Sequence, residues 1–238
     1  MIVEFAGLPG SGKTTLSRTV KEELLSRKNY LDGISIDEPS AIIAEQKSLR
    51  RIIVKLGYAL LGFFIHPLLS FHFLLVILYS HQNSIKNFLK NHFNGIYLIG
   101  LYSRYRNSRQ IVLFDQGGLQ ALWSVFFSST LGFEEKQKLI TRMPGFLMAE
   151  YIVFLDCGID LIFSRLKKRE GKQSRMEEKT FSDETVRQIK DDLELIQHES
   201  IRRNRDSHTK KILTLDNSNE TFLIDNSILI AEKIIEAL

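Results

Sequence analysis

The sequence predicts an α/β fold, a parallel sheet covered by helices on both faces, and three observations predict it. Short, mainly apolar runs alternate with stretches of helical periodicity. Those runs lack the apolar–polar alternation of a half-exposed strand, as strands buried on both faces do. The first run ends in a glycine-rich turn that opens a helix. The chain has 238 residues, 44% of them hydrophobic and 25% charged, which suffices for one sizeable core. No internal repeat or low-complexity linker divides it, so a single domain over 1–238 is expected.

Taken in order, Ile2–Ala6 reads as a buried strand and Lys13–Arg27 as a helix, with Leu16, Val20, Leu24 and Leu25 at helical spacing. Gly33 breaks that helix. Ile34–Ile36 form a second strand ending at Asp37-Glu38-Pro39, where Pro39 can open a helix and places Glu38 at the junction. A mainly helical region follows to about Arg109. Gln110–Phe114 is a third strand, and Leu119–Ser129 a helix after the Gly117-Gly118 turn. Tyr151–Leu155 is a fourth strand, followed by a helix over Asp160–Arg169. A polar, basic segment and a long helix to about Arg203 come next. Ile212–Leu215 is the fifth strand and Ile228–Leu238 the last helix.

Composition bounds the chemistry. A single cysteine, Cys157, excludes an intramolecular disulfide and suits a reducing compartment. The net charge of +4 favours anionic ligands without implying nucleic acid as the main one. An acid at Glu4 and no basic residue before the first apolar run speak against a secretory signal. The expected address is the cytoplasm, or its membrane surface.

Gly7-Leu8-Pro9-Gly10-Ser11-Gly12-Lys13-Thr14 matches G-x-x-x-x-G-K-[ST] in full, between a strand and a helix. Such a loop turns its backbone N–H groups around a phosphate, and the helix behind it points its positive end at the same anion. Lys13 reaches the outer phosphates, and the Thr14 hydroxyl ligates Mg²⁺. The ATP-binding set is therefore Gly7, Leu8, Pro9, Gly10, Ser11, Gly12, Lys13, Thr14 and Thr15. Asp115 closes the apolar strand Ile111–Phe114, the place of a carboxylate that holds the Mg²⁺ shell with Thr14.

The loop GLPGSGKTTL, the turn IDEP, the strand VLFDQG and the segment YIVFLDCGIDLIFSRLKKRE occur in an order that resembles the thymidylate kinase and deoxynucleoside kinase superfamily. The resemblance implies a three-layer P-loop NTPase fold with a five-stranded parallel sheet. It also implies a helical acceptor-binding insertion, here enlarged to about 40–109, and a lid over about 165–182. It places Glu38 as the base on the acceptor hydroxyl. Arg165 and Arg169 become the lid arginines that meet adenine and neutralise the transferring phosphoryl group, with Arg165 also a nucleotide contact. Lys172 and Arg175 lie in the same lid, and Asp216-Asn217-Ser218 at the adenine-facing loop. Two departures stand out. Asp37 replaces the arginine of the thymidylate kinases, and Asp115-Gln116-Gly117 lacks the arginine that follows the third-strand acid in the family.

Between Lys55 and Lys86 no residue carries a formal charge. A single membrane crossing there would separate Lys13 from Asp115, which must meet at one Mg²⁺, and two crossings need about forty apolar residues. Three readings stay open: buried helices of the acceptor region, a homodimer interface, or a hairpin through 56–85 touching a membrane surface. Gln82, Arg104 and Arg106 are candidate acceptor contacts, and Trp123 is expected in the core. The expected activity is Mg²⁺-ATP-dependent phosphotransfer to a small acceptor, a nucleoside or nucleoside monophosphate. The alternatives are a lipid-linked or carbohydrate acceptor at the membrane surface, or a regulatory ATPase without phosphotransfer.

Overall fold

A computed structural model describes residues 1–31, 33–44, 46–143, 145–168, 183–205 and 211–238. Its strands are β1 (Ile2–Ala6), β2 (Ser35–Asp37), β3 (Gln110–Phe114), β4 (Tyr151–Asp156) and β5 (Lys211–Asp216). They form one all-parallel sheet in the order β2-β3-β1-β4-β5. The expected five-stranded α/β architecture is therefore the observed one. β1 is central, with Glu4 beside Phe114 of β3 and Ile152 of β4.

Alternation along β1 splits the core into two layers. Val3 and Phe5 face α1 (Lys13–Ser26) and α10 (Glu220–Ile235), packing with Leu16, Val20 and Ile230. Ile2 and Ala6 face the opposite side, with Leu119, Leu122 and Trp123 of α6 (Gly118–Phe127). On that side also lie α7 (Phe133–Arg142), α8 (Ile159–Lys167) and α9 (Asp183–Arg205). The α7 helix, opened by Glu134 and Glu135 in its first turn, was not expected. It is tied to α9 by the buried pair Lys136–Asp192, at 2.6 and 2.8 Å.

The expected helical insertion is four helices: α2 (Pro39–Ala44), α3 (Ser48–Ile65), α4 (Pro67–Tyr79) and α5 (Ile85–Tyr105). Pro67 at the first turn of α4 ends α3, because the residue before a proline is driven out of the helical region. The two helices meet at a 108° bend, and among the described residues no single helix is long and apolar enough to cross a membrane. The α3 and α5 backbones touch: a Cβ on Gly100 would land on the Tyr58 carbonyl oxygen, and one on Gly62 would crowd the backbone of Ile96 and Gly100. The inner faces of α3 and α4 are packed through Ala59, Phe73, Val76 and Ile77, whereas their outer faces are exposed through Phe64, Leu68 and Phe71. The segment 56–85 is thus not simply buried; it is two-faced.

Candidate active site

The parallel strands deliver their ends to one edge of the sheet, so Gly7, Glu38, Asp115, Cys157 and Asn217 all follow carboxyl ends of strands. This is where open α/β sheets bind ligands. Gly7–Thr14 runs from β1 into α1 as the motif requires. Gly10 and Gly12 have φ of 89° and 95°, a region that side chains with a Cβ rarely adopt. A Cβ on Gly12 would also overlap the Asn217 amide. The first N–H groups of α1 have no partner within the helix, and its N-cap residue, Gly12, has no side chain to cap them. Lys13 folds back over the loop, its Nζ donating to the carbonyl oxygens of Gly7 and Leu8, each at 2.8 Å.

The predicted metal pair meets. Thr14 Oγ1 donates to Asp115 Oδ2 at 2.7 Å across a hundred residues of chain, and Asp115 Oδ1 is buried with no hydrogen-bond partner among the described residues. An orphaned carboxylate oxygen beside a phosphate loop and a threonine hydroxyl is a donor set that fits Mg²⁺, which takes one or two protein oxygens plus phosphate and water. The hydroxyl of Ser11 in the loop is likewise buried with no hydrogen-bond partner among the described residues.

Glu38 is buried and accepts from Ser17 Oγ at 2.7 Å. Burial pushes its carboxyl up from the ordinary range and Asp115 adds to the rise, while Ser17, Lys21 and Arg18 pull it down. Ser17 lies on α1 one turn beyond Lys13, so the phosphate loop and the Glu38 carboxylate share one helix. Asp37 does not accompany Glu38; its oxygens accept from Tyr105 Oη and from the Glu38 N–H.

Arg165 of α8 lies on the other flank of the loop, near Gly12. Its guanidinium reaches Cys157 Sγ at 3.4 Å and the Asn217 carbonyl at 3.2 Å. Asn217 in turn donates from Nδ2 to the Ser11 carbonyl at 2.7 Å, so it braces the loop. Arg169, Lys172 and Arg175 lie outside the described residues. Burial raises the Cys157 thiol, with Arg165 opposing.

A cavity of about 260 Å³ opens between the loop and the insertion. Its floor is Pro9, Lys13, Thr14 and Asp115; its walls are Lys90 and Asn94 of α5, Gln116 of the turn after β3, and Gln120, Trp123 and Ser124 of α6. The wall residues are the ones sequence reasoning missed, although Lys90 and Asn94 are spaced i, i+4 on one helix face and Gln120, Trp123 and Ser124 i, i+3, i+4. Trp123 is buried, as expected of a core residue, yet it lines the cavity and its indole Nε1–H has no partner among the described residues.

The acceptor contacts proposed from the sequence are corrected. Gln82 bonds Ser80, Val125 and Asn91, closing the turn between α4 and α5. Arg106 donates to the Met148 carbonyl at 2.8 Å, and Arg104 is exposed near the end of α5. None of the three lines the cavity.

The turn after Asp115 is built around a buried acid. Glu4, fully buried on β1, accepts through Oε1 from the Leu119 and Gln120 N–H groups at 2.8 and 3.2 Å, and through Oε2 from Tyr102 Oη at 3.3 Å. It therefore caps α6 from inside the sheet. A Cβ at Gly117 would overlap this carboxyl group, so the turn after Asp115 is shaped around Glu4. Burial pushes the Glu4 carboxyl up to about 7, against the opposing bonds from Gln120, Leu119, Tyr102 and Gly118.

Among solved structures, thymidylate kinase from Candida albicans matches with TM-score 0.51 at 14% identity, over 99% of this chain and 90% of that one. Deoxyadenosine kinase from M. mycoides matches over 100% of both chains, with TM-score 0.49 at 14% identity. Thymidylate kinase from Ehrlichia chaffeensis matches with TM-score 0.48 at 13% identity, over 99% and 97%. No protein-family model and no curated protein matches the sequence. At such identities the likeness is one of fold: the chain has the fold of the small P-loop kinases.

Proposed function

We propose that this protein is a Mg²⁺-ATP-dependent phosphotransferase acting on a small acceptor, a nucleoside or nucleoside monophosphate. The observation that carries the reading is the Thr14–Asp115 hydrogen bond at 2.7 Å, with Asp115 Oδ1 left buried and unsatisfied at the foot of a polar cavity. Mg²⁺ bound there would offset charge on the β- and γ-phosphate oxygens. The loop N–H groups hold the phosphates, and the Lys13 ammonium has those oxygens as alternatives to the Gly7 and Leu8 carbonyls. Glu38 takes the acceptor hydroxyl proton; burial raises its proton affinity, the direction a general base needs. Ser17 orients that carboxylate. Arg165, beside Gly12, neutralises phosphate charge from the opposite flank, and Arg169 is assigned the same task from its spacing. Lys90, Asn94, Gln120 and Trp123 supply the acceptor's polar contacts.

A second reading keeps this chemistry and makes the acceptor a lipid-linked or carbohydrate molecule, favoured by the exposed outer faces of α3 and α4. The test is acceptor-dependent ADP release from Mg²⁺-ATP across a panel of nucleosides, nucleoside monophosphates and lipid alcohols. In the E38Q variant, turnover should fall about a hundredfold or more, while nucleotide affinity stays as in the wild type. Unchanged turnover removes Glu38 from the mechanism. Hydrolysis indifferent to every acceptor replaces phosphotransfer with a nucleotide-driven switch.

A further inference from the structure

Twelve large apolar side chains between Leu49 and Leu78 are exposed among the described residues, and they are not scattered. On α4, Leu68, Phe71, Leu75 and Leu78 follow i, i+3, i+7, i+10, one stripe of a helix. On α3, Leu49, Ile53, Leu56, Leu60 and Phe64 follow i, i+4, i+7, i+11, i+15, again one stripe of a helix. Both stripes face away from the sides packed on α5 through Gly62 and Phe73. At the bend the exposure is greatest, 73% at Phe64 and 84% at Leu68. A contiguous apolar surface of this kind marks an interaction site.

The charge around it has one sign. From Gln46 to Phe114 the chain has no Asp or Glu and nine Lys or Arg. Lys47, Arg50 and Arg51 are exposed at the start of α3, and Lys86 is exposed at the start of α5 beside exposed Ile85 and Leu89. Of the neighbouring elements, α7 turns Arg142 onto the Tyr79 ring, 4.4 Å from its centroid. Its acids Glu134 and Glu135 stand at the other end of that helix, and Glu135 bonds the Gly132 N–H. A two-fold contact between copies would place this basic collar against itself with no carboxylate from 46–114 to answer it. Anionic phospholipid answers both the charge and the apolar stripe.

We propose that the bent α3–α4 pair is a membrane-docking surface, which lies in the interface of an anionic lipid bilayer with its apolar stripes in the headgroup–acyl boundary and its basic residues on lipid phosphates. Docking is peripheral, since the inner faces of both helices stay in the protein.

The test is flotation of the full-length protein with vesicles of phosphatidylcholine alone or mixed with phosphatidylglycerol. The protein should float with the mixed vesicles and much less with the neutral ones, and added salt should weaken the association. R50A/R51A should lower partition about thirtyfold, the worth of two basic side chains at an anionic surface. F64S/L68S/F71S should lower it by more than tenfold. These side chains are exposed, so the thermal melt and nucleotide binding should match the wild type. Should the triple variant not fold, R50A/R51A decides alone. Absence of the wild type from the anionic vesicle fraction overturns the proposal, and so does equal flotation of the wild type and R50A/R51A. A dimer by light scattering that the triple variant dissociates, without vesicle binding, assigns the face to a second copy and also overturns it.

Discussion

Replacing Glu4 by glutamine should flatten the dependence of stability on pH and stabilise the protein above neutrality. Glu4 has no exposed surface, and burial pushes its carboxyl from 4.5 up to about 7. Because the folded value is the higher one, its favourable contribution is complete below about pH 4.5 and is lost as pH rises through about 7. The gap is 7 − 4.5, about 2.5 pH units, and at about 1.4 kcal/mol each it amounts to about 3 kcal/mol. Glutamine cannot ionise, yet it keeps an acceptor oxygen for the Leu119 and Gln120 N–H groups. Urea unfolding at about pH 5 and about pH 8.5 reads the difference. The wild type should lose about 2.5 kcal/mol more than E4Q between those two conditions, a little less than the full value because about pH 5 already lies above 4.5. Parallel pH profiles would refute the assignment of a buried, ionising cap to Glu4. A variant destabilised equally at every pH would show that the carboxylate is needed as a pair of acceptors, whatever its charge.

Three further perturbations probe other parts of the structure. D115N should raise the Mg²⁺ concentration for half-maximal turnover about ten- to a hundredfold at fixed ATP, with a metal titration as the readout. K136A removes the cation from Asp192 inside the α7–α9 contact and should cost about 3–5 kcal/mol in urea unfolding, because it leaves a buried carboxylate unpaired. G100A drives a methyl group onto the Tyr58 carbonyl oxygen, so α3 must move off α5; the cost should be about 1–3 kcal/mol, read from a lowered Tm.

The parts of the fold most legible in the sequence are those dictated by local rules. The strands sit on short, mainly apolar runs, and β3 begins and ends where its pattern does, at Gln110 and Phe114. The phosphate loop is read from eight consecutive residues, because its geometry depends on few others. The Thr14–Asp115 contact was legible too, since a parallel sheet brings strand ends to one edge. The cavity wall was not. Lys90, Asn94, Gln120 and Ser124 are ordinary polar residues on ordinary helices, and only the packing of α5 against α6 makes them neighbours. Glu4 was opaque for a similar reason: a lone acid in a buried strand acquires its meaning from the N-terminus of α6, 115 positions away at Leu119. The α10 helix begins at Glu220 rather than Ile228, its first two turns being too polar to show an apolar period.

The insertion has a consequence for the whole molecule as an electrical object. With nine positive charges and no negative ones in 46–114, the other 169 residues hold 23 bases and all 28 acids, a balance of −5. A protein of net charge +4 thus combines a stretch of +9 with a remainder of −5, an asymmetry that the net figure conceals. Such a molecule rotates in a field before it translates, and near any charged boundary it arrives already oriented. On a chromatography column it should be retained by resins of either sign, each gripping a different end.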